Sequence, residues 1–424
     1  MLTLAIIREK PEEVIQRLKV KNFHAEEIVN RILALDKNRR SLQQLQDSRQ
    51  SELNTLSRQI GTLLQQGRKE EAEASRQKTA DIKEEIKKFS QQSEAHEEEL
   101  NSLLVQLPNM PHSSVPEGRS AEDNLTVREG GKKPVLAEGA LPHWDLAKKY
   151  DIIDFELGNK ITGAGFPLYK GKGAKLQRAL ISFFLDENQK AGYTEFLPPL
   201  MVNPDSGFGT GQLPDKDSQM YFIGADNFYL IPTAEVPVTN IYRDVILDVA
   251  DFPVKNTAYT PCFRREAGSY GKDVRGLNRL HQFDKVEIVQ IQHPDKSYES
   301  LDEMVNHVEG IVRKLELPYR IMRLCGGDMS FASALTYDFE VFAAAQDRWL
   351  EVSSVSNFES FQANRLKVRF REESNKKTVL AHTLNGSSLA LPRIVAALLE
   401  NNQTPEGIAL PPVLHSYTGF SHIG

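Results

Sequence analysis

The stretch PCFRREAGSYGKDVRGLNRLHQFDKVEIV, from Pro261 to Val289, combines six arginine or lysine residues with carboxylates, glycines and aromatic rings. Apolar and polar residues alternate in its last part, which predicts a strand with one buried face. The segment Gly268–Gly276 predicts the loop of a hairpin, because its glycines tolerate the turns that a loop requires. Two antiparallel strands joined by this loop are therefore the first expected element of the fold.

The side chains of this hairpin predict a surface rich in charge. Placed on the first strand, Arg264 and Glu266 point the same way, since side chains alternate along a strand. A favourable register adds Phe283 and Glu287 from the returning strand to that face. An arginine can clamp a phosphate with two parallel donors, a ring can stack on a base, and a carboxylate can accept from an amine. The alternative is a salt-bridged surface hairpin without a ligand.

The composition of the chain is that of a soluble protein with two or three domains. Its 424 residues are 40% hydrophobic and 26% charged, with a net charge of -6. No apolar run has the length of about 20 residues that a membrane span needs, so no membrane is expected as a partner. The N-terminus lacks the pattern of a signal peptide. Cys262 and Cys325 cannot form a disulfide framework or a four-thiolate zinc site, so we expect no zinc and a reducing cytoplasm.

Residues 28–103, which we call the arm, differ from the rest of the chain. They contain no proline and two glycines. Apolar residues fill eight of eleven seam positions from Ile28 to Leu63 at alternating spacings of four and three. They fill six of ten positions from Ala72 to Leu103. Gly67 lies between the two runs. The pattern predicts two long helices packed as an antiparallel coiled-coil hairpin.

The two predicted helices of the arm have opposite charge. Residues 31–69 have a net charge of +5 and residues 70–99 a net charge of -5. One interpretation is that the helices neutralise each other, and the other is that the basic helix faces a polyanion. The candidate phosphate contacts are Arg40 and Arg58, with Arg39 and Arg49 as weaker candidates because they fall on the seam.

The arm ends at a proline-rich linker, and a mixed body follows. Three prolines between residues 107 and 118 cannot continue a helix. This predicts an N-terminal domain over 1–106, a linker over 107–118 and a body over 119–424. Short strand runs and a few amphipathic helices predict an α+β fold with a mainly antiparallel sheet. The predicted strands are FYLIP (228–232), KVEIVQIQ (285–292), YRIMRL (319–324), YDFEVFAAA (337–345) and RWLEVSSVS (348–356). The predicted helices lie in residues 173–192 and 388–403.

Several segments together carry a resemblance to a known family. The hairpin FRREAGSYGKDVRGLNRLHQFDKVE resembles motif 2 of the class II aminoacyl-tRNA synthetases, and in particular of the seryl-tRNA synthetase family in its bacterial form. Residues 165–202 resemble motif 1 of the class, and residues 383–403 resemble motif 3, with its arginine at Arg393. IPTAEVP (231–237) and WLEVSSVSNFESFQANR (349–365) are similar to active-site segments of the family. The resemblance covers nearly the whole chain in the same order.

The resemblance implies a role for individual residues. Arg264 and Arg393 would be catalytic, Glu266 would read the adenine amine, and Phe283 would stack on adenine. The implied ATP-binding residues are Arg264, Arg265, Glu266, Phe283, Glu351, Val352, Ser353, Ser354 and Arg393. The implied serine-binding residues are Thr233, Ala234, Glu235, Arg264, Glu287, Asn385 and Ser387. Glu351 and Ser354 would also hold Mg²⁺ on ATP. Asn385–Ser388 could instead simply cap the helix that follows.

The reaction and partners that the resemblance implies are those of the family. ATP would activate L-serine to seryl-adenylate by in-line attack on the α-phosphate, and serine would pass to the 3′ end of tRNA(Ser) and also tRNA(Sec). Residues 119–424 would be the catalytic domain and residues 1–106 the tRNA-binding domain. A homodimer would form through motif 1, whose helix carries Leu176, Ala179, Leu180 and Phe183 at spacings of three and four. Three alternatives are an enzyme that loads a carrier protein, a non-catalytic RNA-binding protein and a synthetase for another small amino acid.

Overall fold

The computed structural model describes residues 1–215, 218–266, 275–372 and 377–424. Its helices are α1 (Leu4–Glu9), α2 (Pro11–Val20), α3 (Glu26–Gln65), α4 (Lys69–Leu104), α5 (His143–Lys149), α6 (Phe155–Ile161), α7 (Gly171–Lys190), α8 (Pro204–Thr210), α9 (Glu235–Asn240), α10 (Ser297–Lys314), α11 (Ser360–Leu366), α12 (Leu391–Asn401) and α13 (His415–Thr418). Within the described part of the chain, every helix is too short or too polar to span a lipid bilayer.

The strands follow the same order along the chain. They are β1 (Leu125–Gly130), β2 (Ile153–Asp154), β3 (Leu168–Tyr169), β4 (Thr194–Glu195), β5 (Met201–Val202), β6 (Phe222–Ile223), β7 (Phe228–Leu230), β8 (Ile246–Leu247), β9 (Val254–Phe263), β10 (Gln282–Gln292), β11 (Tyr319–Arg323), β12 (Leu335–Ala343), β13 (Arg348–Asn357), β14 (Arg369–Arg371), β15 (Thr378–Leu380), β16 (His382–Ala390), β17 (Gln403–Thr404), β18 (Gly407–Ala409) and β19 (His422–Ile423).

The chain divides into two compact units. The first unit comprises Met1–Lys19 and Phe23–Pro108, and the second comprises Val20–Asn22 and Asn109–Gly424. In the first unit, α3 and α4 pack along each other as the predicted hairpin. All eleven seam positions of α3 and all ten of α4 are buried or half-buried, and Arg31 of α3 pairs with Glu99 of α4 across the hairpin. The predicted coiled-coil hairpin is confirmed.

The second unit is built around an eight-stranded sheet. The strand order is β1-β11-β12-β13-β16-β10-β9-β4. The pairs from β1 to β9 are antiparallel, and β4 joins β9 in parallel. The predicted α+β class with a mainly antiparallel sheet is therefore confirmed. The expected strands and the two expected helices are all present, with ends that move by up to a few residues.

The two faces of the large sheet have different partners. One face contributes Val286, Ile288 and Leu384 to a core that also holds apolar residues of α7, α10 and α12. On the other face, Val289 packs with Ala258 and with residues of the α9 segment. Because side chains alternate along a strand, the residues between those core positions of β10 and β16 face the α9 side. That second face carries the polar residues of the candidate site.

Two local expectations are wrong. Strand β9 ends at Phe263, so Arg264 and Glu266 lie beyond the strand, and the alternation of a strand does not govern their directions. Glu266 has a φ of 48°, which lies in the left-handed region and turns the chain away from a strand. Ser387 and Ser388 belong to β16 and do not cap the following helix, whose N-cap is Ala390. The loop predicted at 268–276 lies largely outside the described residues.

Candidate active site

A pocket of buried polar side chains lies on the α9 face of the sheet. Strand register places Glu287 of β10 opposite Ser387 of β16, and Val289 opposite Asn385. Thr233 and Ala234 precede α9, and Glu235 begins it. These pocket residues are all buried, although most are polar. Buried polar groups require partners, so their contacts show what the pocket is built to hold.

The charge of Glu287 is offset by a neighbouring lysine of the same strand. The Nζ atom of Lys285 lies 2.7 Å from Oε2 of Glu287, and both side chains are nearly inaccessible to solvent. The hydroxyl of Ser387 donates to the same carboxylate oxygen at 3.2 Å. The Thr257 hydroxyl donates to the backbone carbonyl of Glu287 at 2.8 Å, which holds the strand at this position. Glu287 is thus held in a fixed position by a lysine and a hydroxyl.

Glu235 is the second carboxylate of the pocket, and no lysine or arginine of the described segments forms an ion pair with it. Burial, and next the charge of Glu287, raise the pKa of Glu235 to about 7. Gln362, Lys285 and Asn385 act in the opposite direction. Nε2 of Gln362 donates to Oε1 of Glu235 at 2.6 Å. The pocket therefore has two carboxylates against one lysine, which suits a ligand with an ammonium group.

Arg264 lies beside this pocket together with Phe283. The guanidinium carbon of Arg264 is 5.3 Å from the centre of the Phe283 ring, and Nε donates to the carbonyl of Pro232 at 3.4 Å. The backbone N–H of Arg264 donates to the carbonyl of His281 at 2.9 Å, which continues the pairing just beyond β9. A half-buried cation next to an aromatic ring suits a nucleotide phosphate and base.

The two residues after Arg264 point to different neighbours. Glu266 accepts a short hydrogen bond from Nε of Arg279. Arg265 is exposed, and its guanidinium carbon lies 5.6 Å from the centre of the Tyr221 ring. The predicted grouping of Arg264, Glu266, Phe283 and Glu287 is therefore supported by direct contact only for Arg264 with Phe283.

Arg393 is held by backbone carbonyls. Its Nε donates to the carbonyl of Asn278 at 3.0 Å, and its Nη1 donates to the carbonyl of Glu351 at 2.6 Å. The carboxylate of Glu351 is further away, at 3.7 Å. The Arg393 side chain is only partly buried, and its one carboxylate partner among the described residues is this distant one. Such a cation can meet an anionic ligand.

The β12–β13 pair adds a second carboxylate, that of Asp338, whose protonation is affected by the charge of Glu351. Asp338 lies opposite Ser354 in the register, and the Ser354 hydroxyl bonds to it. Burial, and next the negative charge of Glu351, hold the pKa of Asp338 well above its ordinary value. Oδ1 of Asp338 has no hydrogen-bond partner within the described residues. The unpartnered oxygen of Asp338, with the carboxylate of Glu351 and the hydroxyl of Ser354, offers the type of oxygen ligand that a hard cation such as Mg²⁺ prefers.

The remaining predicted residues are buried supports. Val352 belongs to the core, and the Ser353 hydroxyl donates to the carbonyl of Ser387 at 2.5 Å, which ties β13 to the pocket strand. The Thr233 hydroxyl accepts from the backbone N–H of Glu235 at 3.2 Å. Asn385 lies close enough to Glu235 to lower its pKa, although Nδ2 makes no hydrogen bond of good geometry among the described residues.

The arm arginines differ in how far they are already paired. Arg39 and Arg40 both contact the buried carboxylate of Asp36, and Arg49 pairs with Glu52 and Glu85. Arg58 is exposed and has no carboxylate partner among the residues that the structure describes. Of these candidates, Arg58 is thus the one whose charge is offset by no carboxylate in the described part of the chain.

Three residues of the site were not predicted from the sequence: Lys285 as the partner of Glu287, Gln362 as the partner of Glu235, and Asp338 beside Glu351. Lys285 lies two positions before Glu287 on the predicted strand, and Gln362 lies inside the segment 349–365, but no pattern in the sequence assigns a role to either residue. Asp338 comes from a different strand, and no local pattern marks it. These are contacts that the fold creates between distant positions.

Comparisons with known proteins agree with this geometry. A family model described as tRNA synthetase class II core domain (G, H, P, S and T) matches residues 222–402, and one described as Seryl-tRNA synthetase N-terminal domain matches residues 1–111. A protein named Serine--tRNA ligase from Salinibacter ruber is 53% identical over 100% of this chain and 99% of its own length. One from Prosthecochloris aestuarii is 47% identical over the same shares.

Solved structures resemble the whole chain. The crystal structure of seryl-tRNA synthetase from Pyrococcus horikoshii complexed with ATP matches with a TM-score of 0.95 and 32% identity, over 100% of this chain and 99% of that one. Cytoplasmic serine-tRNA ligase from Naegleria fowleri in complex with AMP matches with a TM-score of 0.90 and 25% identity, over 100% and 98% of the two chains. Both the arm and the eight-stranded sheet are therefore part of the likeness.

Proposed function

The chain belongs to the seryl-tRNA synthetase family, whose enzymes join serine to tRNA, and we propose that it does so in two steps at the polar pocket. In the first step, the serine carboxylate attacks the α-phosphorus of ATP in line, which gives seryl-adenylate and pyrophosphate. In the second, the terminal ribose hydroxyl of tRNA attacks the acyl carbon. No covalent bond to the protein forms, so residues 119–424 act as a catalytic domain by positioning and by charge.

The observation that carries this proposal is the unequal charge of the pocket beside Arg264. Lys285 offsets Glu287, and Glu235 is left to meet the ammonium group of serine. Ser387 and Thr233 supply short polar walls suited to a hydroxyl-bearing side chain of this size. Arg264 would then hold the serine carboxylate and the α-phosphate, and Phe283 would stack on adenine. Glu266, Arg265 and the β13 segment would complete the ATP site.

Charge stabilisation at the far end of ATP falls to Arg393 and a metal ion. Arg393 is fixed by two carbonyls and keeps its charge for the γ-phosphate. Glu351, Ser354 and the neighbouring Asp338 would hold Mg²⁺, which when bound neutralises phosphate charge. The orphaned oxygen of Asp338 supports this assignment, because it lacks a protein donor in the described residues.

We further propose that the arm binds tRNA(Ser) and, as the family resemblance implies, tRNA(Sec). A hairpin of two helices has too little core to serve as a binding pocket, but it can present charge along its length. At 1.5 Å per residue, a helix of 40 residues extends about 60 Å, which matches a long feature of a tRNA such as its variable arm. Arg58 is the favoured phosphate contact and Arg40 the second.

We also propose a cytoplasmic homodimer, although the expected reason for the dimer was partly wrong. Leu176, Ala179, Leu180 and Phe183 of α7 are buried within their own subunit, so they do not face a partner. Apolar side chains are instead exposed on the small sheet β5-β7-β6 and just before it: Leu197, Met201, Phe222 and Phe228. A second copy covering this patch would remove it from water. A single-subunit mass at micromolar concentration would contradict the dimer.

One experiment tests the central proposal. Pyrophosphate exchange into ATP is measured with each of the twenty amino acids in turn. Serine alone should support fast exchange, because the pocket is built to satisfy an ammonium and a hydroxyl. Exchange with a different amino acid would transfer the proposal to another synthetase activity. Absence of exchange with every amino acid would support the non-catalytic alternative. Serine exchange without transfer to tRNA would favour a carrier protein as acceptor.

A further inference from the structure

Gln362 occupies a central position among the residues around the pocket. Its side chain is almost fully buried. Nε2 donates to Oε1 of Glu235 at 2.6 Å and to the carbonyl of Thr210 at 3.0 Å. Oε1 accepts from the hydroxyl of Thr383 at 2.7 Å. One amide thus joins the start of α9, the end of α8 and strand β16.

The contacts of this amide specify its orientation. Nε2 faces two oxygen atoms. The carbonyl oxygen of Thr210 can only accept a hydrogen bond, and the carboxylate of Glu235 can likewise only accept when it is ionised. A flipped amide would place its own oxygen against both of them. The Thr383 hydroxyl donates to the remaining polar atom, Oε1, so every polar atom of the amide has a partner in this orientation. Thr383 therefore holds Gln362, and Gln362 holds Glu235.

We propose that Gln362, locked by Thr383, is a positioning residue that holds the Glu235 carboxylate towards the ammonium group of serine. This inference rests on the proposed function and deepens it. Gln362 acts through Glu235, so its effect should appear in serine binding and not in ATP binding. The backbone link to Thr210 would also hold the end of α8 against the pocket.

The electrostatics of Glu235 explain why a donor is needed there. Glu235 faces Glu287 and Lys285 from β10, Asn385 from β16 and Gln362 from α11. Burial and Glu287 both favour the protonated form, in which the carboxyl cannot attract an ammonium. A hydrogen bond donated by Gln362 favours the ionised form. Removing that donor should therefore weaken serine binding at neutral pH.

The experiment compares four full-length proteins: the wild type, Gln362→Met, Thr383→Val and Thr383→Ser. Methionine keeps the approximate length of glutamine without a donor. Valine keeps the shape of threonine without the hydroxyl, and serine keeps the hydroxyl. Serine-dependent pyrophosphate exchange gives KM for serine, KM for ATP and kcat for each protein across a range of pH. The thermal midpoint of each protein reports whether it is folded.

We expect KM for serine to rise about tenfold or more in Gln362→Met, because a hydrogen bond to a charged group is lost. It should rise about threefold in Thr383→Val, where a neutral hydrogen bond is lost, and stay near the wild-type value in Thr383→Ser. KM for ATP should stay unchanged. The pH at which serine binding weakens should move upward in Gln362→Met, since Glu235 then keeps its proton to a higher pH.

Three results would overturn the inference: an unchanged KM for serine in a folded Gln362→Met protein, an equal rise in both KM values, or equal effects of the valine and serine substitutions at Thr383. If Gln362→Met does not fold, the Thr383 pair decides the question alone. If the wild type supports serine-dependent exchange and the variants have the same KM for serine, only the positioning role is refuted. A wild type that does not exchange with serine refutes the proposed function itself, and this inference with it.

Discussion

Lys285 and Glu287 form an ion pair within one strand, with Nζ 2.7 Å from Oε2 and both side chains buried. They lie two positions apart on β10 and face the same side of the sheet. The pair leaves the pocket with one carboxylate in excess, at Glu235. Lys285 therefore affects two properties: the stability of the ligand-free protein and the charge of the ligand that the pocket binds.

Replacing Lys285 with methionine should destabilise the protein. The change leaves Glu287 as a buried carboxylate without its cation, which costs about 3 kcal/mol. The thermal midpoint should fall by several degrees, and serine-dependent exchange should also fall. Differential scanning calorimetry measures the first effect and pyrophosphate exchange the second. A variant as stable as the wild type would show that the pair contributes nothing to the fold.

The matched control is the double variant Lys285→Met with Glu287→Gln. Glutamine keeps an oxygen that can accept from the Ser387 hydroxyl but has no charge to be left unpaired. The thermal midpoint should therefore recover, whereas serine-dependent exchange should not. Recovery of both would mean that Glu287 is a structural residue only.

Serine binding should depend on pH through Glu235. The pKa of this carboxyl in the folded, ligand-free protein is about 7, well above its ordinary value. Below that pH the carboxyl holds a proton and cannot attract an ammonium, so the proton competes with serine. KM for serine should be nearly constant above about pH 8 and rise about tenfold per pH unit below about pH 6.

Exchange assays at a series of pH values, with ATP saturating, measure this dependence. KM for ATP, determined in the same buffers, is the internal control. Arg264 and Phe283, the proposed ATP-binding residues, contact each other and make no hydrogen bond to Glu235 among the described residues. A serine KM that stays flat from about pH 6 to about pH 8 would contradict the raised pKa or the role of Glu235 in binding.

Arg264→Ala should nearly abolish adenylate formation. The guanidinium would be lost from a half-buried site where negative charge develops in the transition state, so kcat should fall roughly 10²-fold or more. The thermal midpoint should change little, since within residues 1–215, 218–266, 275–372 and 377–424 the side chain of Arg264 makes a single weak hydrogen bond, to the carbonyl of Pro232. Steady-state exchange measures the loss.

A suitable comparison for that variant is Arg371→Ala. Arg371 ends β14 in a small separate sheet and is exposed, so the same loss of charge there should leave exchange intact. Near-normal exchange by the Arg264 variant, or an equal loss in both variants, would show that Arg264 has no specific part in the reaction.

Shortening the arm should separate tRNA charging from amino-acid activation. Replacing Ser41–Gln92 with a short turn keeps the base of the hairpin, including the Arg31–Glu99 pair and the buried Asp36 with its arginines. Serine-dependent exchange should remain nearly intact, because the residues that we propose as catalytic all belong to the second unit. The kcat/KM for tRNA charging should fall by orders of magnitude.

Salt provides an independent check on the arm. Phosphate contacts release counterions, so charging by the full-length protein should weaken steeply as salt rises, and Arg58→Ala should reduce that slope. Arg76→Ala, on the opposite helix and already paired with Glu73, is the matched control. If the shortened protein charges tRNA as efficiently as the full-length one, the arm is a structural spacer.

The sequence predicted the arm more completely than the pocket. A coiled-coil seam depends on spacing within one helix, so each position from Ile28 to Leu63 could be assigned from its neighbours along the chain, and all are shielded. Polar residues within that seam, such as Arg39 and Gln46, are half-buried too, because spacing and not residue type decides the direction of a helical side chain.

The pocket depends on contacts between distant segments, and the sequence predicted only one residue of each contacting pair. Glu235 and Gln362 are separated by 127 residues, and the pairing of two strands places Asp338 opposite Ser354, where the charge of Glu351 acts on it. The expectation for Arg264 and Glu266 failed for a local reason, because β9 ends one residue earlier and a positive φ turns the chain at Glu266. Strand ends depend on pairing partners, which alternation along one strand does not reveal.

The seam of the arm occupies eleven of the 40 residues in α3. Most of the remaining positions of that helix face solvent, so substitutions there leave the packing of the hairpin unchanged. In evolutionary terms, the outer surface of the arm can drift together with the RNA of its own cell while the chemistry of the pocket is inherited unaltered. The enzyme of one lineage would then bind the transfer RNAs of another lineage weakly, although both enzymes attach the same amino acid by the same reaction.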